Sequence, residues 1–266
     1  MPPPWKPTPT VQLTIATHAA ATLSLFAAPA TWPWALGAVV LNQLVLTGAG
    51  MLPRTTLLGP NLNRLPGAAV ERREIALTID DGPDPEVTPR VLDLLDAAAA
   101  KASFFCIGRR ARQYPALCRE IVARGHSVEN HGDAHALAFA TFGPRRMHAD
   151  IAAAQACLAD ITGQAPRFFR PTAGLRNPFL DPVLTLLELR LASWTRRAYD
   201  TRNGDPQRVF ERLSDGLAAG DILLLHDGNA ARTSAGEPVI LAVLPRLLQT
   251  MADSRLTPVT LTAASP

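Results

Sequence analysis

Two stretches near the amino end of the chain are almost free of charge. Between Val11 and Ala30 the only ionisable side chain is His18, and from Pro33 to Leu52 there is none. Each approaches the roughly 20 residues that cross a bilayer as a helix. The pattern predicts a hairpin of two hydrophobic helices, residues 11–30 and 33–52. Its turn falls at Ala30-Thr31-Trp32-Pro33-Trp34, where Pro breaks a helix and Trp suits a membrane interface. A cleaved secretory signal is the rival reading, but its basic segment would be Lys6 alone and its apolar region is doubled. Lys6 precedes the pair, Arg54, Arg64, Arg72 and Arg73 follow it, and the turn has no basic residue. By the positive-inside rule both ends face the cytoplasm, which places the rest of the chain on the cytoplasmic side of a bacterial-type inner membrane.

From Glu71 onward short apolar runs alternate with longer helical stretches. Predicted strands are Ile75–Ile79, Ala102–Ile107, His126–Glu129, Arg167–Arg170, Leu191–Trp194, Ile222–His226 and Pro258–Leu261. Predicted helices are Thr88–Ala100, Tyr114–Arg124, Pro144–Thr162, Asp181–Leu189, Asp205–Leu217 and Glu237–Ala252. Helices placed between successive strands predict an α/β fold with a parallel barrel, and an open doubly wound sheet would give the same periodicity. The expected organisation is an anchoring region with its linker over residues 1–70 and one α/β domain over 71–266.

Composition narrows the partners. With 266 residues and 47% hydrophobic content the chain fills a sizeable core. The net charge of +3 arises from 26 Lys plus Arg against 23 Asp plus Glu, and the Arg residues are scattered, so no nucleic-acid partner is expected. Cys106, Cys118 and Cys157 are odd in number and have no metal-ligand or redox spacing. They fit a reducing compartment better than a disulfide framework.

Candidate chemistry gathers at the carboxyl ends of the predicted strands, where β/α folds build their sites. Ile75-Ala-Leu-Thr-Ile79 runs into Asp80-Asp81-Gly82-Pro83. Adjacent acids there point in different directions, so one can bind a metal while the other stays free as a base. A plain Asp-Gly-Pro turn is the bland reading of the same residues. His131 and His135 follow the third predicted strand at a spacing that puts both rings on one side of a helical turn. With Asp81 they make a set of two imidazoles and a carboxylate that leaves metal positions open. Arg170, before the turn Pro171-Thr172-Ala173-Gly174, can hold Asp80 ionised, and a free N–H of that turn can stabilise an oxyanion. Trp194 can wall a sugar site or be an ordinary core residue. Asp200 can tune a histidine or simply begin a turn. His226 ends the strand Ile222–His226 and has the titration range of a proton donor to a leaving amine. The H-E-x-x-H helix of a zinc peptidase is absent.

Taken in order, Thr78-Ile-Asp80-Asp81-Gly82-Pro83, His131-x-x-x-His135, Arg170-Pro-x-x-Gly174 and Leu224-Leu-His226 resemble the polysaccharide deacetylase family, the NodB-homology or carbohydrate esterase family 4 domain. The resemblance spans about Glu71 to Leu261. It implies a distorted (β/α)7 barrel that holds Zn²⁺, or another divalent transition metal such as Co²⁺, Ni²⁺ or Mn²⁺, and hydrolyses the N-acetyl group of an amino sugar. Residue by residue it implies Asp80 as general base, Asp81, His131 and His135 as metal ligands, Arg170 as the tether of Asp80, and His226 as general acid. Leu224 would line the pocket for the acetyl methyl, and an N–H near Thr172 or Ala173 would hold the oxyanion.

Two departures separate this chain from the family pattern. Many relatives carry an aromatic residue where Ala173 stands, and Trp194 is separated from Asp200, the implied partner of His226, by Thr-Arg-Arg-Ala-Tyr. With the hairpin, the small residue at 173 makes a short or lipid-linked amino sugar a rival to a bulk polymer as substrate. Removal of another small acyl group, such as formyl, is the rival reaction. A membrane-tethered carbohydrate-binding barrel without activity is the rival class.

Overall fold

The computed structural model describes residues 4–265. Helices α1 (Pro9–Ala27) and α2 (Trp32–Gly50) pack on each other, joined by Asn42 donating to Thr14 at 3.2 Å and by His18 against Gln43 at 3.2 Å. Thr8 caps α1 by accepting the Val11 N–H, and Pro9 occupies a first-turn position where its missing N–H costs nothing. By length and composition both helices are able to cross a membrane. Leu23, Phe26, Trp34, Leu41 and Leu44 are exposed on them.

The remaining elements run in β/α order. They are α3 (Gly67–Glu71), β1 (Glu74–Asp80), α4 (Thr88–Ala97), β2 (Ala102–Cys106), α5 (Gly108–Gln113), α6 (Pro115–Ala123), β3 (Ser127–Asn130), α7 (Pro144–Thr162) and β4 (Phe168–Phe169). They continue with α8 (Leu180–Leu186), β5 (Arg190–Leu191), β6 (Arg196–Arg197), α9 (Pro206–Ser214), β7 (Ile222–His226), α10 (Val239–Asp253), β8 (Thr257–Val259) and α11 (Leu261–Ala264). The eight-stranded sheet has the order β5-β4-β3-β2-β1-β7-β6, with β8 branching from β1, and its strand pairs are parallel.

This is the expected parallel barrel in a curled, incompletely closed form. Among the described residues β5 and β6, the ends of the path, are not paired with each other. The linker after α2 lies along the open side instead. Leu62 donates to Leu191 and accepts from Ser193, both at 2.9 Å, and Leu65 donates to Gly220 at 2.8 Å beside the start of β7. Leu65 and Ala69 are buried in the interior cluster with Phe105, Phe168 and Leu224.

Strand periodicity positions the site. In β1, Ile75, Leu77 and Ile79 join the outer core with Val91 and Leu92 of α4 and Leu244 of α10, while Ala76 faces the interior cluster. In β7, Leu223 and Leu225 join the outer core, and Ile222 and Leu224 face inward. The period of two therefore turns Asp80 and His226 inward, and the register pairs them directly across the β1–β7 ladder.

Three sequence expectations change. The strand expected at Leu191–Trp194 stops at Leu191, because the carbonyls of Ala192 and Ser193 accept the Arg170 guanidinium rather than continue a ladder. Arg196–Arg197, read as loop, pairs with β7 as an edge strand. The expected strand Pro258–Leu261 becomes Thr257–Val259 at the foot of β1, and Thr260 caps α11 by accepting the Ala263 N–H.

Candidate active site

A cavity of about 210 Å³ opens at the carboxyl ends of β1, β3, β4 and β7, lined by Asp80, Asp81, His131, His135, Leu224 and His226 among others. Thr172, Ala173 and Trp194 also line it. It is smaller than the roughly 300–1,000 Å³ of pockets that engulf a drug-sized ligand, so it suits a group rather than a chain.

Asp80 is the last residue of β1, and its Oδ1 accepts Arg170 Nη1 at 2.6 Å. Arg170 is almost fully buried and crosses the barrel interior. The same Nη1 donates to Thr78 Oγ1 at 2.9 Å, Nε to the Ala192 carbonyl at 3.1 Å and Nη2 to the Ser193 carbonyl at 2.9 Å. Its guanidinium lies 4.0 Å from the centroid of the Phe105 ring. Burial lowers its pKa and the Asp80 charge opposes that shift. Fixed donors around a fixed cation leave Asp80 one orientation, with Oδ2 facing the cavity 3.8 Å from His131 Nε2.

Asp81 would point away from Asp80 if the strand continued. It adopts φ +74 instead, which brings its carboxylate into the same cavity. The close approach of its carbonyl leaves no room for a Cβ at residue 228, which is Gly. Asp81 Oδ2 accepts Asn229 Nδ2 at 3.1 Å. Oδ1 lies 3.2 Å from His131 Nε2 and 3.0 Å from His135 Nε2, and is buried without a hydrogen-bond partner among the described residues. Burial alone would raise the Asp81 pKa, but the two imidazoles outweigh it and hold the carboxyl well below its usual range.

His131 Nδ1 lies 2.7 Å from the Arg170 carbonyl, so this nitrogen carries the hydrogen and Nε2 presents its lone pair. Burial opposes protonation of His131, and the Asp80 and Asp81 charges outweigh it and raise the pKa. The two imidazole centroids are 4.9 Å apart. Their convergence is not helical, which corrects the sequence expectation. Gly132 has φ +75 and His135 φ +48, and Asp150 accepts the N–H groups of Asp133 and Ala134 at 3.1 Å. One ligand atom from each of Asp81, His131 and His135 lies within 4.8 Å of the others. An orphaned carboxylate oxygen between two imidazole nitrogens fits a divalent transition metal.

On the opposite wall His226 Nδ1 lies 2.8 Å from Asp200 Oδ1, and its backbone N–H donates to Asp200 Oδ2 at 2.8 Å. Burial would lower the His226 pKa, but fully buried Asp200 reverses this and raises it to about 9. Beside it, burial raises Asp227 to about 7, against the hydrogen bonds from Thr88 and Gly228. The Asp227 carboxylate packs where a Cβ of residue 82 would be, so it supports the turn after Asp81. Leu224 and Trp194 are buried in the cavity wall, Thr172 is buried, and Ala173 is exposed at the rim with φ +57.

A model of the polysaccharide deacetylase family matches residues 67–192. A chitooligosaccharide deacetylase of Azorhizobium caulinodans is 35% identical over 155 residues, which are 58% of this chain and 73% of that protein. The chain belongs to the polysaccharide deacetylase family. A peptidoglycan-N-acetylglucosamine deacetylase of Bacillus cereus is 33% identical over 65% of this chain and 81% of its own. Among solved structures, a family 4 carbohydrate esterase from Streptomyces lividans in complex with acetate superposes with a TM-score of 0.63 at 30% identity, covering 70% of this chain and 91% of that one. The curled parallel half-barrel is thus the fold of this family.

Several residues that support the cavity were not read from the sequence. Asn229 sits three positions after His226, in the same strand-end turn, and its position was the available signal. Asp150 lies mid-helix on α7 and Asp227 resembles an ordinary turn residue, so they carried none; Thr78 stood in the first motif, and only its bond to Arg170 Nη1 was not legible there.

Proposed function

We propose that the protein hydrolyses the N-acetyl group of an N-acetylhexosamine unit, releasing acetate and a free amine. The observation that carries this reading is the buried Oδ1 of Asp81, without a hydrogen-bond partner among the described residues, set between two imidazoles and facing an Arg-held carboxylate and an Asp-held histidine across one small cavity.

Asp81, His131 and His135 would hold the metal, with Zn²⁺ the first choice for two nitrogens and a carboxylate oxygen. Such an ion supplies Lewis-acid polarisation of the acyl carbonyl and activation of water. Asp80 accepts the proton of the attacking water on Oδ2, since Oδ1 is committed to Arg170. The N–H groups of Thr172 and Ala173 are not used by the internal bonds of the 171–175 turn, which come from Gly174 and Leu175, and they serve the developing oxyanion. His226, with Nδ1 engaged by Asp200, delivers a proton from Nε2 to the departing nitrogen. Leu224 packs against the acetyl methyl, and Trp194 bounds the sugar. The hairpin embeds in the bacterial inner membrane with both ends cytoplasmic.

Acetate release from N-acetylglucosamine oligomers by detergent-solubilised protein with added Zn²⁺, run beside Asp80→Asn, tests the chemistry. Release that the substitution abolishes is the expected result, and equal release by both proteins would sink the assignment of Asp80. A carboxyl-terminal reporter that behaves as periplasmic would overturn the orientation and leave the chemistry intact.

A further inference from the structure

The hairpin and the barrel enclose a second cavity, of about 870 Å³, distinct from the catalytic one. Val11, Ile15, Leu46 and Met51 of the hairpin side face Leu175 and Phe179 of the barrel across it. The barrel segments that wall it also wall the catalytic cavity. Leu137 faces the catalytic side and Ala140 the second cavity, while Thr172, Ala173 and Gly174 face the catalytic side and Leu175 and Arg176 the second cavity. Successive Cα atoms are about 3.8 Å apart, so Gly174 and Arg176 are separated by less than about 8 Å.

Arg176 makes this cavity more than an apolar gap. Arg176 is one of the lining residues and is only 4% exposed. Nη2 donates to the Thr55 carbonyl, and Nε is buried without a partner among the described residues. The acid that attracts it, Asp181, already accepts Trp5 Nε1 at 2.7 Å and forms no ion pair with Arg176. Burial lowers the Arg176 pKa to about 10, so the guanidinium stays cationic at neutral pH. A buried, unpaired cation is costly unless an anion joins it. Apolar walls contributed by two hydrophobic helices select an anion that carries hydrocarbon.

We propose that this cavity binds the lipid-phosphate part of a lipid-phosphate-linked N-acetyl amino sugar. The phosphate pairs with Arg176, the first part of the hydrocarbon chain lies between the hairpin and the barrel, and the sugar passes over the 172–174 turn into the catalytic cavity. The sugar end of this assignment rests on the deacetylase reading, whereas the lipid-phosphate end rests on the second cavity alone.

The test uses the full chain in neutral detergent and a photoreactive alkyl-phosphate-linked N-acetylglucosamine, with labelled peptides mapped by mass spectrometry. Labelling is expected at residues 138–142 and 175–179 and on the hairpin residues that face them. It should fall roughly tenfold in Arg176→Gln, the size of one lost charge-assisted hydrogen bond. Thr141→Trp, a substitution at an exposed position that narrows the cavity, should lower it as well, which covers the case in which Arg176→Gln misfolds. Excess phosphatidylglycerol should compete weakly. Equal competition by phosphatidylglycerol would make this a site for bulk anionic lipid and overturn the proposal. Labelling confined to outward residues such as Phe26 and Leu41, or unchanged in both variants, would overturn it too. Acetate release reports separately: specific labelling without release from any acetylated substrate would sink the deacetylase reading and leave the lipid-phosphate site standing.

Discussion

On the β1–β3 wall of the catalytic cavity, Asp81 Oδ1 sits between two imidazole nitrogens and has no hydrogen-bond partner among the described residues. On the β7 wall, His226 has its N–H and its Nδ1 both engaged by one buried carboxylate. Both walls bring carboxylate and imidazole together, yet one is left electrostatically incomplete and the other is closed. An incomplete donor set is complementary to a cation that arrives from solution. A closed pair holds its charge in place and is suited to handing over a proton. Arg170 braces the incomplete wall, since its carbonyl fixes His131 while its guanidinium fixes Asp80.

Substitutions on each side test this contrast. The largest effect is expected from Asp81→Ala, which should abolish stoichiometric Zn²⁺ binding and take turnover to background in metal analysis and acetate assays. Retained metal would mean that the incomplete wall is not a metal site. Next, Asp80→Asn should keep the metal and lower kcat by about 10²–10⁴-fold, the range of a general base. Loss of metal in that variant would merge the two roles that the geometry separates.

The closed wall should respond through pH. With His226 acting as an acid at a pKa of about 9, wild-type activity declines as pH rises through that value. Asp200→Asn removes the largest of the influences that raise this pKa and leaves burial opposed only by the Asp80 and Asp81 charges, so the alkaline limb should move to lower pH, with kcat reduced roughly 10–100-fold. A limb that stays in place would assign it to another group. The same raised pKa contributes stability that is complete below the unfolded histidine value of about 6.5 and is lost as pH rises through about 9. Thermal melts of wild type and Asp200→Asn should therefore converge at the alkaline end. The smallest effect belongs to Leu224→Ala, which should cost about tenfold in kcat/KM for acetyl substrates and improve the relative use of propionyl ones. An unchanged acyl preference would remove Leu224 from the pocket.

The strands β1, β2 and β7 were legible in the sequence because both of their faces are buried and their apolar runs are continuous. β6 was not, because Arg196 and Arg197 lie at an edge, where Arg196 pairs with Asp221 and Arg197 stacks over Trp194 and Tyr199. Charged side chains there obscure a backbone that is paired. Asp80, Asp81 and His226 were readable as candidates because polar residues at the ends of apolar strands need an explanation. The convergence of His131 and His135 was readable, but its cause was not. It depends on Gly132 and on Asp150, which lies 15 or more positions away on α7. That Asp81 Oδ1 and Arg176 Nε lack partners among the described residues is a property of packing, and spacing along a chain carries no trace of it.

The last residue of α2, Gly50, accepts the Arg176 N–H at 3.1 Å and leaves no space for a side chain between helix and barrel. Three residues on, Pro53 lies against Gly174, the turn that walls the catalytic cavity. Such an attachment is a rigid mount rather than a leash. With α2 seated in a bilayer, the cavity mouth would be held at one height above the surface, and the catalyst would sweep a plane instead of a volume. Inserting a few flexible residues after Gly50 would let the barrel swing free and exchange that fixed working height for reach.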